Sequence, residues 1–372
     1  MKTLARLLII VFALGLPGCT PAQPTLQPPS AKQGGDPAQV LVVVQGAVDV
    51  KRAGRSEFVP GMFGMVLRRG DLLRLDTGAL AKVACADLTL ADASSGTGGV
   101  PCKAETSIIS DPSTGSRVTA ARSNTPSDIP IVISPRRTRL LNARPLLRWT
   151  PIQGVDTYTV SIQADSTLWS GTVKGATQVQ YPADAPALSP GQTYKVVVMG
   201  GGRSSEDKLV PDLGFSIATA DEMNEIKSAE ERIKTLGLSD GASQFLNAVL
   251  YATRKQEVRD NFNAEAIERL ESLSTSFQEP AVQRMLGDLY LKVGLLTLAE
   301  TRYTQANDLS KKVNDIDGQA TELQTLGTIY ELLGNKDEAI KRLQDAIAWY
   351  QKLGDTNAVQ ELQEQLNRLQ NP

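Results

Sequence analysis

Histidine is absent from all 372 residues. That excludes Ser-His-Asp and Cys-His catalysis in their usual forms and every histidine metal ligand. Any chemistry would fall to carboxylates, lysine or serine alone. The chain also lacks a P-loop, a G-x-S-x-G turn and a convincing pair of acids on one strand or loop. Cysteine occurs three times, at Cys19, Cys85 and Cys102. Only one long apolar run exists, at the amino terminus, so no second segment reads as a membrane span. The net charge of −2 shows no excess of basic residues, which argues against nucleic acid as a partner.

What is present fits a globular protein of several domains. Charged residues are 22% and hydrophobic ones 41%, an ordinary soluble composition. The length predicts two to four domains. Charge is unevenly placed: residues 20–219 carry 20 Lys+Arg against 16 Asp+Glu, and residues 220–372 carry 17 against 25. The two parts are therefore net basic and net acidic, as separate modules would be.

Residues 1–18 read as a targeting segment. Lys2 and Arg6 give a positive start, and Leu7 to Leu16 is an apolar run too short to span. Leu16-Pro17-Gly18-Cys19 then resembles the lipobox of bacterial lipoproteins, with Pro17 in place of the usual small residue. The resemblance implies a lipidated Cys19 anchored in the membrane. Thr20, rather than Asp, implies sorting to the periplasmic face of the outer membrane. The competing reading is plain secretion with cleavage nearby. Residues 19–38 hold Pro21, Pro24, Pro28, Pro29, Gly34, Gly35 and Pro37, the composition of an extended tether.

Residues 39–119 predict a small all-β domain. Val40 to Val44 is a β-branched run, and Gly/Asp turns separate the short alternating segments that follow it. The order G-x-V-x-V-x-R-x-G, G-D-x-L-x-L, G-A-x-A-x-V, then Asp87, resembles the FecR-like β-domain. That implies a β-roll used in envelope signalling or binding, without catalytic residues. Cys85 and Cys102 form an even pair once Cys19 is lipidated, and in an exported protein they read as a disulfide. A redox pair and a two-ligand metal site are the alternatives. Arg52, Arg55, Arg68, Arg69 and Arg74 make this module basic without interleaved aromatics, so it is a solvated face or a contact for anionic lipid or cell-wall polymer.

Residues 120–129 read as a Ser/Asn/Pro linker. Residues 130–219 predict a β-sandwich. Tyr158, Val160 and Ile162 alternate with Thr157, Thr159 and Ser161, which is a strand with one buried face. Further strands are expected at 145–149, 168–169, 178–181, 195–198 and 215–217. Tyr194 follows a Pro-Gly turn and opens a strand, as a tyrosine corner requires. Together with Trp149 and Tyr158 this resembles the fibronectin type III family, implying a spacer or binding sandwich. Trp149 and Tyr194 are expected in its core, and Trp169 at an edge.

Residues 220–372 are helical. Thr219 and Glu222 match a capping box, and a less regular hairpin follows between 245 and 273. Then Leu286-Gly287, Tyr290, Gly294, Ala299, Tyr303 and Ala306 recur 40 residues later as Leu326-Gly327, Tyr330, Gly334, Ala339, Leu343 and Ala346. A period of this size marks stacked repeats. The pattern resembles the tetratricopeptide repeat, with residues beyond the usual repeat length expected around 313–317. The helix from 357 to 370 should cap the array, a short dimerising coiled coil being the alternative. The resemblance implies that first helices line a partner groove, which places Gln244, Tyr251, Arg284, Asp288, Gln324, Thr328 and Glu331 there. A solvated polar face is the competing assignment.

The fold class expected is therefore multidomain all-β plus all-α. The function expected is a non-enzymatic, envelope-anchored scaffold that binds a protein or peptide partner without metal or cofactor. The alternatives are a FecR-like sensor or regulator and, behind it, a polymer-binding protein or enzyme acting on the cell wall.

Overall fold

The computed structural model describes residues 37–103, 107–111, 128–206, 213–255 and 257–371. The expected signal segment, Cys19, nearly all of the tether and most of the linker at 120–129 lie outside these residues. The amino-terminal part is sheet-rich and the carboxy-terminal part is a run of consecutive helices.

The first module holds β1 (Gln39–Gln45), β2 (Val48–Lys51), β3 (Val59–Pro60), β4 (Val66–Leu67), β5 (Leu72–Leu75), β6 (Leu80–Ala84), β7 (Leu90–Asp92) and β8 (Gly96–Gly99). They form two antiparallel sheets, β4-β1-β6-β7 and β3-β2-β5-β8. Leu41, Val50, Leu67, Leu73 and Val83 share the core between them. Cys85 and Cys102 are disulfide-bonded, with Cα atoms 5.5 Å apart. The bond ties the chain beyond β8 to the end of β6.

Strand β1 departs from simple alternation. Leu41 points into the module's own core, whereas Val40 and Val42 belong to a second cluster shared with the helices. A strand covered on both faces needs apolar residues at consecutive positions. That is the physical reason for the β-branched run.

The second module holds β9 (Val132–Ser134), β10 (Thr138–Leu140), β11 (Leu146–Trp149), β12 (Thr157–Gln163), β13 (Thr167–Lys174), β14 (Gln178–Gln180), β15 (Thr193–Gly200), β16 (Arg203–Ser204) and β17 (Phe215–Ile217). One sheet is β14-β11-β9; the other is β10-β17-β15-β12-β13, with β16 on β15. Trp149, Tyr158, Val160, Ile162, Tyr194 and Phe215 fill the space between them. The Tyr194 hydroxyl accepts a bond from the Ser189 amide at 2.8 Å, closing the corner before β15. Trp169 is half-buried and meets Tyr181 edge-on, with ring centroids 5.6 Å apart.

The helices are α1 (Ala220–Lys234), α2 (Asp240–Thr253), α3 (Asn263–Leu273), α4 (Pro280–Lys292), α5 (Leu296–Val313), α6 (Ile316–Leu332), α7 (Lys336–Lys352) and α8 (Thr356–Gln370). Thr219 and Glu222 close both bonds of the capping box at the start of α1. Gly294 and Gly334 end α4 and α6 in left-handed backbone. The residues around 313–317, where the extra repeat length is expected, are the junction of α5 and α6. Val313 ends α5, Ile316 opens α6, and only Asn314 and Asp315 lie between. Helix α8 lays Val359, Leu362 and Leu366 on α7, with Leu362 fully buried.

The sandwich is fastened to the helices by arginines. Arg136 donates to the Val293 carbonyl at 2.6 Å and Arg137 to the Lys292 carbonyl at 3.0 Å. Both cations therefore sit at the carboxyl end of α4, where the helix leaves carbonyls unsatisfied and its dipole is negative. Arg139 pairs with Glu222 and Asp260, and Arg148 with Glu271.

Candidate functional site

The first helices of the hairpins are α2, α4 and α6, and their common face is the candidate site. Pro280 at the first position of α4 suits a helix start, since its missing N–H would go unpaired there. Gly287 lets the second helix approach: a Cβ there would lie 2.6 Å from the Tyr303 ring. Gly327 meets Leu343 in the same way, at 2.7 Å. The small residues thus make room for the side chain at the eighth position of α5 or α7 that the repeat pattern shares.

The seven residues expected to line a groove are engaged within the chain. Gln244 donates to Asp240 at 2.7 Å. Tyr251 is buried, donates to Glu230, and lies under Arg269. Arg284 reaches Glu322 at 2.8 Å and Asp315 at 2.9 Å. Asp288 accepts the Tyr303 hydroxyl. Gln324 accepts from Tyr350 at 2.7 Å, and Glu331 from Gln365 at 2.7 Å. Thr328 donates to the Gln324 carbonyl of its own helix at 3.3 Å.

Several of these contacts perturb acidity. Burial pushes the Glu322 carboxyl up to about 7, with the Arg284 guanidinium opposing it. Burial likewise raises Asp288 to about 6 against the hydrogen bond from Tyr303. Glu322 faces Arg284 of the preceding hairpin, and Asp288 faces Tyr303 of its own hairpin. Among the described residues no cluster of Asp, Glu or Cys has the arrangement to hold a metal ion.

The same face carries a contact that sequence reasoning missed. The β-module packs against α2, the start of α4 and the first turn of α6. Phe63 lies against Phe245 of α2 and Phe277 before α4, with centroids 5.2 and 5.0 Å apart and rings edge to face. Gly64 sits on Ala281 so closely that a Cβ would be 2.3 Å from the alanine methyl. The Ser110 amide donates to the Thr253 hydroxyl at 3.2 Å. Val40, Val42 and Ala84 share one apolar cluster with Val249, Met285 and Leu289.

Charge completes the seam. Arg52 reaches Asp317 at the start of α6, at 2.7 Å, and Asp71 of its own module, at 2.9 Å. Arg55 binds Asp317 and also Asp355, the cap of α8, at 2.8 Å. Burial would raise the Asp317 carboxyl, but the two guanidinium groups outweigh it and hold it well below the usual range. Arg68 pairs with Asp111 and Arg74 with Asp49. Four of the five arginines that suggested an anionic polymer contact are thus neutralised by this chain's own carboxylates.

A cleft of about 590 Å³ lies beside the seam, between α1, α2 and residue 108. Much of its charged lining is paired: Arg254 holds Glu222 and Glu225, and Arg232 donates to the Asp87 carbonyl at 2.7 Å. Among the described residues no helix is long and apolar enough to cross a membrane.

Comparison with known proteins bears on the helices alone. The tetratricopeptide repeat family matches residues 278–365. Two solved structures resemble the chain over 40% of its length: the nearly identical TPR-like repeats of a Podosopora anserina protein described as a kinesin light chain, and a single-residue variant of it. They are 21% and 20% identical, are covered over 89% and 88% of their own length, and have TM-scores of 0.28. No curated protein matches. The chain therefore pairs a sheet-rich amino-terminal part with a carboxy-terminal run of consecutive helices in which residues 278–365 match the tetratricopeptide repeat family.

Proposed function

We propose that this chain is a non-enzymatic scaffold of the bacterial cell envelope that binds a protein or peptide partner through its repeats. The observation that carries the reading is the tetratricopeptide match over residues 278–365. Stacked hairpins of this kind present one continuous helix face to a neighbour. The engagement of Asp288, Asp315, Asp317 and Glu322 in internal pairs supports a binding role over a catalytic one. Cys19, following Leu16-Pro17-Gly18, carries the anchor in this proposal, and Thr20 directs the chain to the periplasmic face of the outer membrane. The β-module and the sandwich, with their FecR-like and fibronectin-like patterns, space and orient the array.

The test is capture from detergent-solubilised envelopes with the full chain, set against Gln324→Ala/Thr328→Ala/Glu331→Ala and against Lys174→Ala/Lys195→Ala in the sandwich. A partner whose recovery falls at least tenfold with the array variant only supports the reading; equal recovery with both refutes it. Separately, Cys19→Ala should move the chain from the membrane fraction to the soluble one, and retention on membranes would remove the anchor from the proposal.

A further inference from the structure

The surface on which the repeats would receive a partner is occupied by the chain itself. The occupant has a defined chemistry. One aromatic side chain, Phe63, enters between Phe245 and Phe277. Beside it Gly64 brings backbone against Ala281. Two guanidinium groups, Arg52 and Arg55, converge on the single carboxylate of Asp317. Phe63 packs with the cluster that the module shares with the array and not with the module's own core. The charged side-chain partners of Arg55 are Asp317 and Asp355, both on the array, and its guanidinium lies over the Tyr350 ring. These two side chains therefore serve the seam and not the fold of the module that carries them. Charge favours the same pairing at longer range, because the sequence is net basic before residue 220 and net acidic after it.

We propose that the array is self-inhibited: the β-module is its internal ligand, and a partner gains the first-helix face by presenting the same chemistry, an aromatic side chain preceded by two arginines. This rests on the reading of the array as a partner-binding surface. Displacement is a competition between like ligands, one tethered and one free. The tethered copy wins at low partner concentration because its effective concentration is high. Salt weakens the arginine–carboxylate end of the seam and leaves the aromatic end in place.

The test uses the full chain with Cys19→Ser, so that Cys85 and Cys102 remain paired and one thiol is introduced at a time. Thr253→Cys reports on the seam, since Thr253 lies under Ser110. Ala306→Cys reports on the interior of the array, where Ala306 is fully buried on α5. Opening is produced by Phe63→Ala with Arg55→Ala. Maleimide should modify Thr253→Cys at least tenfold faster in the opened chain, with Ala306→Cys unchanged. Acceleration of neither thiol, or of both equally, overturns self-inhibition, because the module then does not leave the array as a unit. In the second arm a fluorescent peptide with the sequence of residues 52–65 is titrated. It should bind the opened chain at least tenfold more tightly than the native one, and a peptide carrying the same two alanines should not bind. A seam that opens without peptide binding overturns the partner-binding reading itself, and with it the proposed ligand chemistry.

Discussion

Gly64 allows the seam to be tested by stability alone. Its backbone has φ +75, and a Cβ there would lie 2.3 Å from the Ala281 methyl and 3.2 Å from the Phe245 ring. Gly64→Ala therefore costs about 1 kcal/mol for a left-handed non-glycine residue. It costs about 1–3 kcal/mol more because the carbons must separate by roughly 1.5 Å to reach contact distance. The first cost belongs to the module and the second to the seam. Ala281→Gly removes the facing methyl at a helix start and should cost about 0.5–1 kcal/mol alone. Combined with Gly64→Ala it should recover the packing cost, giving a coupling of about 1–3 kcal/mol. The cycle is read by urea denaturation followed by far-UV circular dichroism and tryptophan fluorescence. A double variant as unstable as the sum of the singles, to within about 0.5 kcal/mol, would refute the contact and the docked arrangement with it.

Glu265 gives a pH-dependent prediction. Its carboxylate accepts the Leu141 amide at 2.6 Å, its other oxygen is buried without a partner, and burial raises the group to about 7. A raised carboxyl binds a proton in the folded state before the unfolded one, so its contribution is present below about 4.5 and lost as pH rises through 7. Glu265→Gln should match the native chain near pH 4 and exceed it by about 1–3 kcal/mol at pH 8, as measured by urea midpoints; no pH dependence in the difference would count against it. Replacing both Cys85 and Cys102 by alanine should cost about 3 kcal/mol by loop-closure entropy for a separation of 17 residues, and a change below about 1 kcal/mol would mean that the bond does not constrain the unfolded chain.

Local structure was legible where one segment contains its own cause. Tyr158, Val160 and Ile162 announced β12 by alternation, Thr219 and Glu222 announced the start of α1, and the spacing from Leu286 to Ala306 announced the repeats. The use of the face was not legible. Arg284 looks like a groove residue by position, yet its partners Asp315 and Glu322 come from the next hairpin. Phe63 and Gly64 sit in a turn whose length and composition say nothing of α2 or α4. Two signals did point to the seam. The Val40–Val44 run is too continuous for a strand with one wet face, and the opposite charge of the two halves allows mutual pairing. Neither names the surface that answers it.

Strand β1 also constrains the order in which the molecule can be completed. Val40 and Val42 are covered by side chains whose residues lie some two hundred positions further along the chain. Until α2 and α4 exist, a finished β-module displays these valines, Ala84 and Phe63 to water. Contacts of such sequence separation are slow to form, and an exposed β-branched surface is prone to self-association meanwhile. The array is thus made after the β-module whose apolar face it covers, so a truncation that ends before residue 240 should aggregate although every strand of its β-module is intact.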